Sequence, residues 1–297
     1  MKIRFAVAPG AATTDPTGYA ELIDGLETTG FDTVWLSDVP LGPSLDPMVG
    51  LAFAAARTTR LKLGANVVPI GRNPFVLAKE LAQLDVMSGG RLLLSLVPGI
   101  DAPGERETLG AVGVDRGAAI EELVPLLRAW WAGEVVEHHG PRFSSPGVAL
   151  PGRPRQDPLE IWMGGTGPAA LARAGRCADG WLGAALTPTE AADARATIRS
   201  SADAAGRAVP DDHFGLSIPY SRTPGALVET TSGRLRRHRP AVEPGELLPV
   251  GAAALRDLVR RHVDGGLTKF VVRSVTPVEA WSEELSWLGD TLLDLQT

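Results

Sequence analysis

Cysteine is almost absent from this chain. Cys177 stands alone among 297 residues, so no disulfide can close within the molecule and nothing points to an oxidising compartment. Long apolar runs are missing as well. None approaches the roughly 18–20 residues that span a bilayer, which argues against a membrane partner. The opening stretch from Met1 to Ala8 is short and cut by Pro9-Gly10, so it reads as a first strand rather than a signal peptide. A cytoplasmic location is expected. Basic charge is in deficit, with 29 Lys and Arg against 35 Asp and Glu, and the net charge of -6 argues against nucleic acid as a partner. Histidine is sparse and scattered. His138 and His139 lie in a Pro- and Gly-rich excursion, His213 opens a strand, His238 sits in a basic run and His262 on a helix. None has a carboxylate or serine partner nearby in sequence, so no hydrolytic triad is suggested. No His, Cys or Asp set has metal-ligand spacing, and no metal is expected.

What is present is an alternation. A hydrophobic fraction of 44% with 22% charged residues suits a soluble protein that buries a large core. Short apolar or β-branched runs recur at Ile3–Ala8, Thr33–Leu36, Lys62–Val68, Arg91–Val97, Leu159–Met163, Gly180–Gly183, His213–Pro219 and Lys269–Arg273. Such runs fit parallel strands covered on both faces. Between them, helical segments open on a residue followed by proline: Asp15-Pro16, Asp46-Pro47, Asn73-Pro74, Gly167-Pro168, Thr187-Pro188 and Thr276-Pro277. Proline is tolerated in the first turn, where its missing N–H would be unpaired anyway, and Asp, Asn or Thr can accept bonds from the orphan donors. Thr187 with Glu190 and Thr276 with Glu279 form the spacing of a capping box. A doubly wound open sheet would show the same alternation. Eight units of roughly 37 residues favour an α/β fold of the (β/α)8 TIM-barrel type. Two excursions, about 134–158 and 221–250, read as insertions after the strand-five region and strand seven within one domain spanning 1–297, the first with a hairpin near His139-Gly140.

In such a barrel the active site lies at the C-terminal ends of the strands, where the βα loops gather. That rule selects Ser37-Asp38-Val39 after strand two, Asn66-Val67-Val68-Pro69 after strand three, Val97 to Asp101 after strand four and Gly164-Gly165-Thr166-Gly167 after strand five. The glycine turn leads into a helix starting at Pro168, whose free N–H groups and positive dipole end make an anion site. A tight turn that binds nothing is the equal alternative. Asp38 either contacts a ligand or shapes its own loop. Asn66, a polar amide ending a buried strand, needs a partner, from a ligand or a neighbouring loop. A mouth poor in acid–base groups but holding an anion site suits hydride transfer from a bound organic cofactor. No catalytic residue can be assigned.

Several motifs in register resemble the bacterial-luciferase-like monooxygenase superfamily. They are Gly30-Phe31-Asp32-Thr33-Val34-Trp35-Leu36-Ser37-Asp38, Asp46-Pro47 through Gly64, Arg72-Asn73-Pro74 through Arg91, Trp131-Ala132-Gly133-Glu134, Gly164 through Pro168, and Ala178-Asp179-Gly180-Trp181. The likeness runs from Met1 to about Ala192 and resumes weakly from Val250, and it is nearest to the deazaflavin-dependent members. It implies a barrel, usually a homodimer, that binds coenzyme F420 or FMN and acts on a small molecule. By that likeness Asp38 contacts the cofactor ring, Asn66-Val67 forms a non-prolyl cis peptide behind it, and Gly164, Gly165 and Thr166 hold the phosphate. Val39 stands where some members carry histidine, and Ile100 where sugar-phosphate dehydrogenases carry glutamate, so sugar-phosphate oxidation is not expected. The expected activity is hydride transfer between F420 and a small organic substrate. FMN-dependent monooxygenation and non-catalytic flavin binding remain as alternatives. The run Arg234-Leu235-Arg236-Arg237-His238-Arg239 reads either as a solvated, mobile segment or as a cationic patch for the anionic F420 tail.

Overall fold

The computed structural model describes residues 2–10, 15–100 and 102–297, and Asp101 of the strand-four end lies outside them. Eight strands form a closed, all-parallel barrel: β1 (Arg4–Ala8), β2 (Thr33–Ser37), β3 (Lys62–Val67), β4 (Leu92–Leu96), β7 (Ile161–Gly164), β8 (Gly180–Ala184), β9 (Phe214–Tyr220) and β10 (Lys269–Ser274). They neighbour one another in that order, and β10 pairs back onto β1. Every run of the expected eight is a barrel strand, so the TIM barrel is the observed fold. The excursion before β7 holds the antiparallel hairpin β5 (Val136–His139) and β6 (Ser144–Val148), turning at Gly140 as anticipated.

Alternation along each strand builds two cores. Val34 and Leu36 of β2 point outward and join the large cluster beneath the helices, while Trp35 points inward with Ala6, Ala8, Trp162, Leu182 and Val271. The barrel interior is filled by two indoles, each lying across a glycine directly opposite on the next strand. Trp35 pairs in register with Gly64 and Trp162 with Gly180. A Cβ at Gly64 would fall 2.1 Å from Trp35 Cε3, and one at Gly180 would fall 2.4 Å from Trp162 Cε2. Only glycine leaves room for these rings.

The outer helices are α1 (Pro16–Thr29), α2 (Pro47–Arg57), α3 (Pro74–Met87), α4 (Glu105–Thr108), α5 (Arg116–Trp131), α6 (Pro168–Cys177), α7 (Pro188–Ala204), α8 (Ala226–His238), α9 (Ala252–Asp264) and α10 (Trp281–Leu292). Four starts behave as their caps foretell. Asp15 accepts from Gly18 N–H, Asp46 from Met48 and Val49, Asn73 from Phe75 and Val76, and Thr187 forms a complete capping box with Glu190.

The last expected start is different. Ser274 Oγ takes the Thr276 N–H at 3.2 Å and donates to the Thr276 carbonyl at 2.8 Å, which folds Thr276 into a local turn. The capping box with Glu279 does not form, and α10 begins at Trp281 with no side-chain cap. The basic run is also not a mobile segment. Arg234 to His238 complete helix α8, and Arg239 closes it with a guanidinium bonded to the Ala185 carbonyl and the Glu190 carboxylate. The arginines and His238 at its C-terminal turn complement the helix dipole, a reason for order that a reading of charge alone overlooks.

Candidate functional site

Two openings lead into the barrel. At the C-terminal ends of the strands a cavity of about 270 Å³ is bounded by Ala8, Pro9, Trp35, Ser37, Ser44 and Arg273, among others. At the opposite end a second cavity of about 230 Å³ lies over the other side of the Trp35 and Trp162 floor. The βα loops gather at the first end, where Ser37 and Val39 line the cavity itself, while Asp38, Asn66, Val67 and Gly164–Thr166 end their strands at the same end without lining it.

Asp38 is buried and already engaged. Its Oδ2 accepts from the Val68 N–H at 3.1 Å and from Arg72 Nη2 at 2.9 Å, while its own N–H donates to the Asn66 carbonyl at 2.8 Å. The Arg72 guanidinium also reaches Asp46 Oδ2 at 3.2 Å, so one cation ties the ends of β2, β3 and helix α2 together. Burial opposes the charge on Arg72, but Asp38 and Asp46 outweigh it and raise its pKa. This pairing is a cross-loop contact that no local sequence pattern announces. Asp38 Oδ1 has no hydrogen-bond partner among the described residues and is the part of the carboxylate left for a ligand.

Asn66 finds its partner on the next strand, since its Nδ2 donates to Ser37 Oγ at 3.0 Å. Both residues sit on the inward-facing register line of the barrel. Val67 does not share that face. Its side chain is fully buried in the layer beneath the helices, and its carbonyl accepts from Val97 N–H at 3.0 Å. The Asn66–Val67 peptide is trans, contrary to the expectation from the family, because β3 stays in regular register with β4 through Val67. Among the described residues the cis peptide is Asp157–Pro158.

Across the mouth, β7 ends at Gly164 and turns into α6. Gly165 has φ of +102°, a conformation that favours glycine, and its carbonyl accepts from Trp181 Nε1 at 2.9 Å. Gly164 also lets two strands approach, because a Cβ there would lie 2.9 Å from Val97 Cγ1. Helix α6 starts at Pro168 after Gly167, without any side-chain cap. Thr166 and Gly167 are exposed, and nothing lies within 4 Å of the point where a Gly167 Cβ would stand. Pro168 has no N–H, and the Ala170 and Leu171 N–H groups bond the Gly167 carbonyl at 2.9 and 3.0 Å, which leaves the Ala169 N–H without a backbone partner among the described residues. Asp38 and Asn66 lie on one side of the barrel and Gly164–Thr166 on the other, separated by β4 on the shorter way round.

The sequence leaves undecided whether Arg72 or Arg273 lies in the pocket, and the structure answers for both. Arg273 ends β10 on the inward face and lines the cavity with Trp35 and Ser37. Its surroundings lower its pKa by desolvation, and no carboxylate pairs with it among the described residues. Its place on an inward register line is the signal that would have found it: Ala8, Val271 and Arg273 alternate with Val7 and Val272, which belong to the outer core. Two further polar atoms are buried here without a partner among the described residues, Trp35 Nε1 and Ser44 Oγ. No group of His, Cys, Asp or Glu among the described residues could hold a metal.

Comparison with known proteins agrees with this architecture. The family model described as luciferase-like monooxygenase matches residues 1–226. An F420-dependent glucose-6-phosphate dehydrogenase of Nakamurella multipartita is 32% identical over 198 residues, covering 61% of this chain and 56% of the relative. A phthiodiolone/phenolphthiodiolone dimycocerosates ketoreductase of Mycobacterium sp. (strain JLS) is 33% identical over 224 residues, covering 72% of this chain and 55% of the relative. The matches thus span just over half the length of these relatives. The solved F420-dependent tetrahydromethanopterin reductase from Methanopyrus kandleri superposes over the whole of both chains with a TM-score of 0.80 at 20% identity, a likeness of fold. With a family model covering three-quarters of its length and the catalytic end of the barrel furnished as described, the chain belongs to the luciferase-like monooxygenase family, a family of enzymes.

Proposed function

We propose that this protein is an oxidoreductase that moves a hydride between coenzyme F420 and a small organic substrate at the C-terminal mouth of the barrel. The observation that carries this reading is the uncapped, exposed start of α6 behind the Gly164–Gly167 turn. It offers the Ala169 N–H and a positive dipole end to a phosphate, at the same end of the barrel as Arg273, a guanidinium with no carboxylate partner among the described residues. Relatives named for F420 support the choice of cofactor.

Gly164, Gly165 and Thr166 hold the cofactor phosphate in this scheme. Asp38, Asn66 and the backbone at Val67 border its ring, and Trp35 closes the floor. When bound, F420 supplies a two-electron hydride carrier. The protein's own part is to orient it, exclude water with the Trp35 floor, and place the Arg273 charge beside an electron-rich oxygen of the substrate. Asp38 acts mainly by fixing the loop through Arg72, since one of its oxygens is already fully used.

A second reading, FMN-dependent monooxygenation, draws on the same phosphate cradle and on the family description. Titration of the purified protein with both cofactors, followed by fluorescence quenching, tests the choice. Tight binding of F420 with weak FMN binding is expected, and the reverse would overturn the reading. Turnover with any hydride acceptor would set aside a flavin-binding protein without catalysis. A homodimer also belongs to this proposal. It follows from the family likeness, and Val49 (65% exposed) on α2 with Val76 and Met87 (72% exposed) on α3 are exposed apolar side chains on two neighbouring helices that a partner could cover. The free thiol of Cys177 fits a cytoplasmic location.

A further inference from the structure

The opposite end of the barrel carries a cavity that the proposed reaction does not use. It lies at the N-terminal ends of the strands, where Arg4 and Lys269 face each other in register and Lys62 follows Thr33 on the neighbouring pair. This end of such barrels usually serves stability, and a ring of tightly matched ion pairs would serve it best. Arg4 pairs closely with Asp32 at 3.2 Å, but the pairs made by the lysines are loose. Lys62 Nζ is 3.7 Å from Asp32, beyond hydrogen-bond distance, and makes no hydrogen bond among the described residues. Lys269 Nζ is likewise 3.7 Å from Asp212, though it donates to the Lys2 carbonyl at 2.8 Å.

The distribution of lysine sharpens the point. The chain has four lysines in all, and Lys2, Lys62 and Lys269 line this one cavity. Lysine is a compact, strongly hydrated point charge, whereas arginine, which the chain uses almost everywhere else, locks into planar pairs. The Arg91 guanidinium shows the contrast, because it is spent on the Ser88, Ala55, Thr58 and Leu61 carbonyls. Above the amines the cavity floor is apolar, formed by Trp35, Trp162, Leu93, Leu182 and Val271, two of them indoles.

We infer that the N-terminal mouth is a second binding site, for a small organic anion with a flat apolar body, such as an aromatic carboxylate. The carboxylate lies between Lys62 and Lys269 and the ring rests on the indole floor. The volume of about 230 Å³ is below the roughly 300 Å³ at which drug-sized pockets begin, so the ligand is small. Because Trp35 borders both cavities, a ligand here touches the same side chain that floors the cofactor mouth.

Benzoate is a suitable probe. Reductive methylation of the full chain, read by mass spectrometry, reports each lysine separately. Benzoate should slow the labelling of Lys62 and Lys269 saturably and leave exposed Lys79 unchanged. Lys62→Gln, at a partly exposed rim position, should weaken the protection of Lys269 about tenfold, as expected for one charge-assisted contact. Arg273→Gln, at the other mouth, should leave protection intact. Equal labelling with and without benzoate would overturn the proposal. So would protection that survives Lys62→Gln unchanged or disappears in Arg273→Gln.

Discussion

The two ends of this barrel differ in how they use charge. At the C-terminal mouth Asp38 and Arg72 are drawn into close contact at 2.9 Å, and the Arg273 guanidinium has no carboxylate partner among the described residues. At the N-terminal mouth the charges are many and the lysine pairs are long, with Lys62 and Lys269 each 3.7 Å from a carboxylate, although Arg4 holds Asp32 at 3.2 Å. Tight pairing fixes loops so that a cofactor meets a preformed surface. Loose pairing leaves amines able to exchange one partner for another. The indoles of Trp35 and Trp162 lie between these regimes, and four predictions probe that division.

The largest effect should come from the floor itself. Gly64→Val would drive side-chain atoms into Trp35, where even a Cβ falls at 2.1 Å. Overpacking of this kind costs about 3 kcal/mol or more, and both mouths should fail together. Thermal unfolding would read it, and an unchanged midpoint would show that the indole can move aside.

Next comes a pH effect that belongs to neither mouth. His262 on α9 is fully buried, neither ring nitrogen has a partner among the described residues, and burial followed by the nearby Arg261 charge lowers its pKa to about 4. The folded state thus binds its proton less readily than the unfolded chain, whose histidine titrates near 6.5. Its contribution is complete above pH 6.5 and is lost as pH falls toward 4, with a limit of about 3 kcal/mol. His262→Leu should flatten chemical denaturation midpoints over that window, and a retained slope would assign the acid sensitivity elsewhere.

Asp38→Ala should weaken the C-terminal mouth alone. It strips Arg72 of its closest partner and leaves the Val68 N–H unpaired, a loss of about 2 kcal/mol in stability. F420 affinity should fall with it, while benzoate protection of Lys62 stays. The smallest effect on stability separates two glycines of the α6 turn. Gly167→Ala should be nearly silent in thermal unfolding, because its φ is -74° and the space is open. Gly165→Ala, at φ of +102° and with a Cβ 2.8 Å from that of Ala170, should lose about 1–2 kcal/mol. If the helix start holds the phosphate, Gly167→Ala still reduces cofactor affinity in titration.

The fold was legible wherever its causes are local. Each strand announced itself as a short apolar run, and Asp15, Asp46, Asn73 and Thr187 act within three residues of their own positions. Thr276 shows the limit of that logic, since Ser274, two residues back, competes successfully for its backbone. The α8 helix was hidden because its arginines read as a solvated run, whereas their value lies in the carbonyls they face at its end. The site was harder to read. The tight turn from Gly164 to Gly167 into α6 was foreseen from chain pattern alone, but the engagement of Asp38 by Arg72 spans 34 residues and depends on how two loops meet. The convergence of Lys2, Lys62 and Lys269 is still less local, being created only by barrel closure.

That convergence has a practical side. Amine-reactive supports couple to lysine and ignore arginine, so they would grip this protein almost wholly by one pole. With Lys79→Arg as the sole change, every side-chain anchor would stand at the N-terminal mouth. Molecules so tethered would present the opposite opening to the bulk solution in a common orientation, a ready-made geometry for an electrode or a flow reactor.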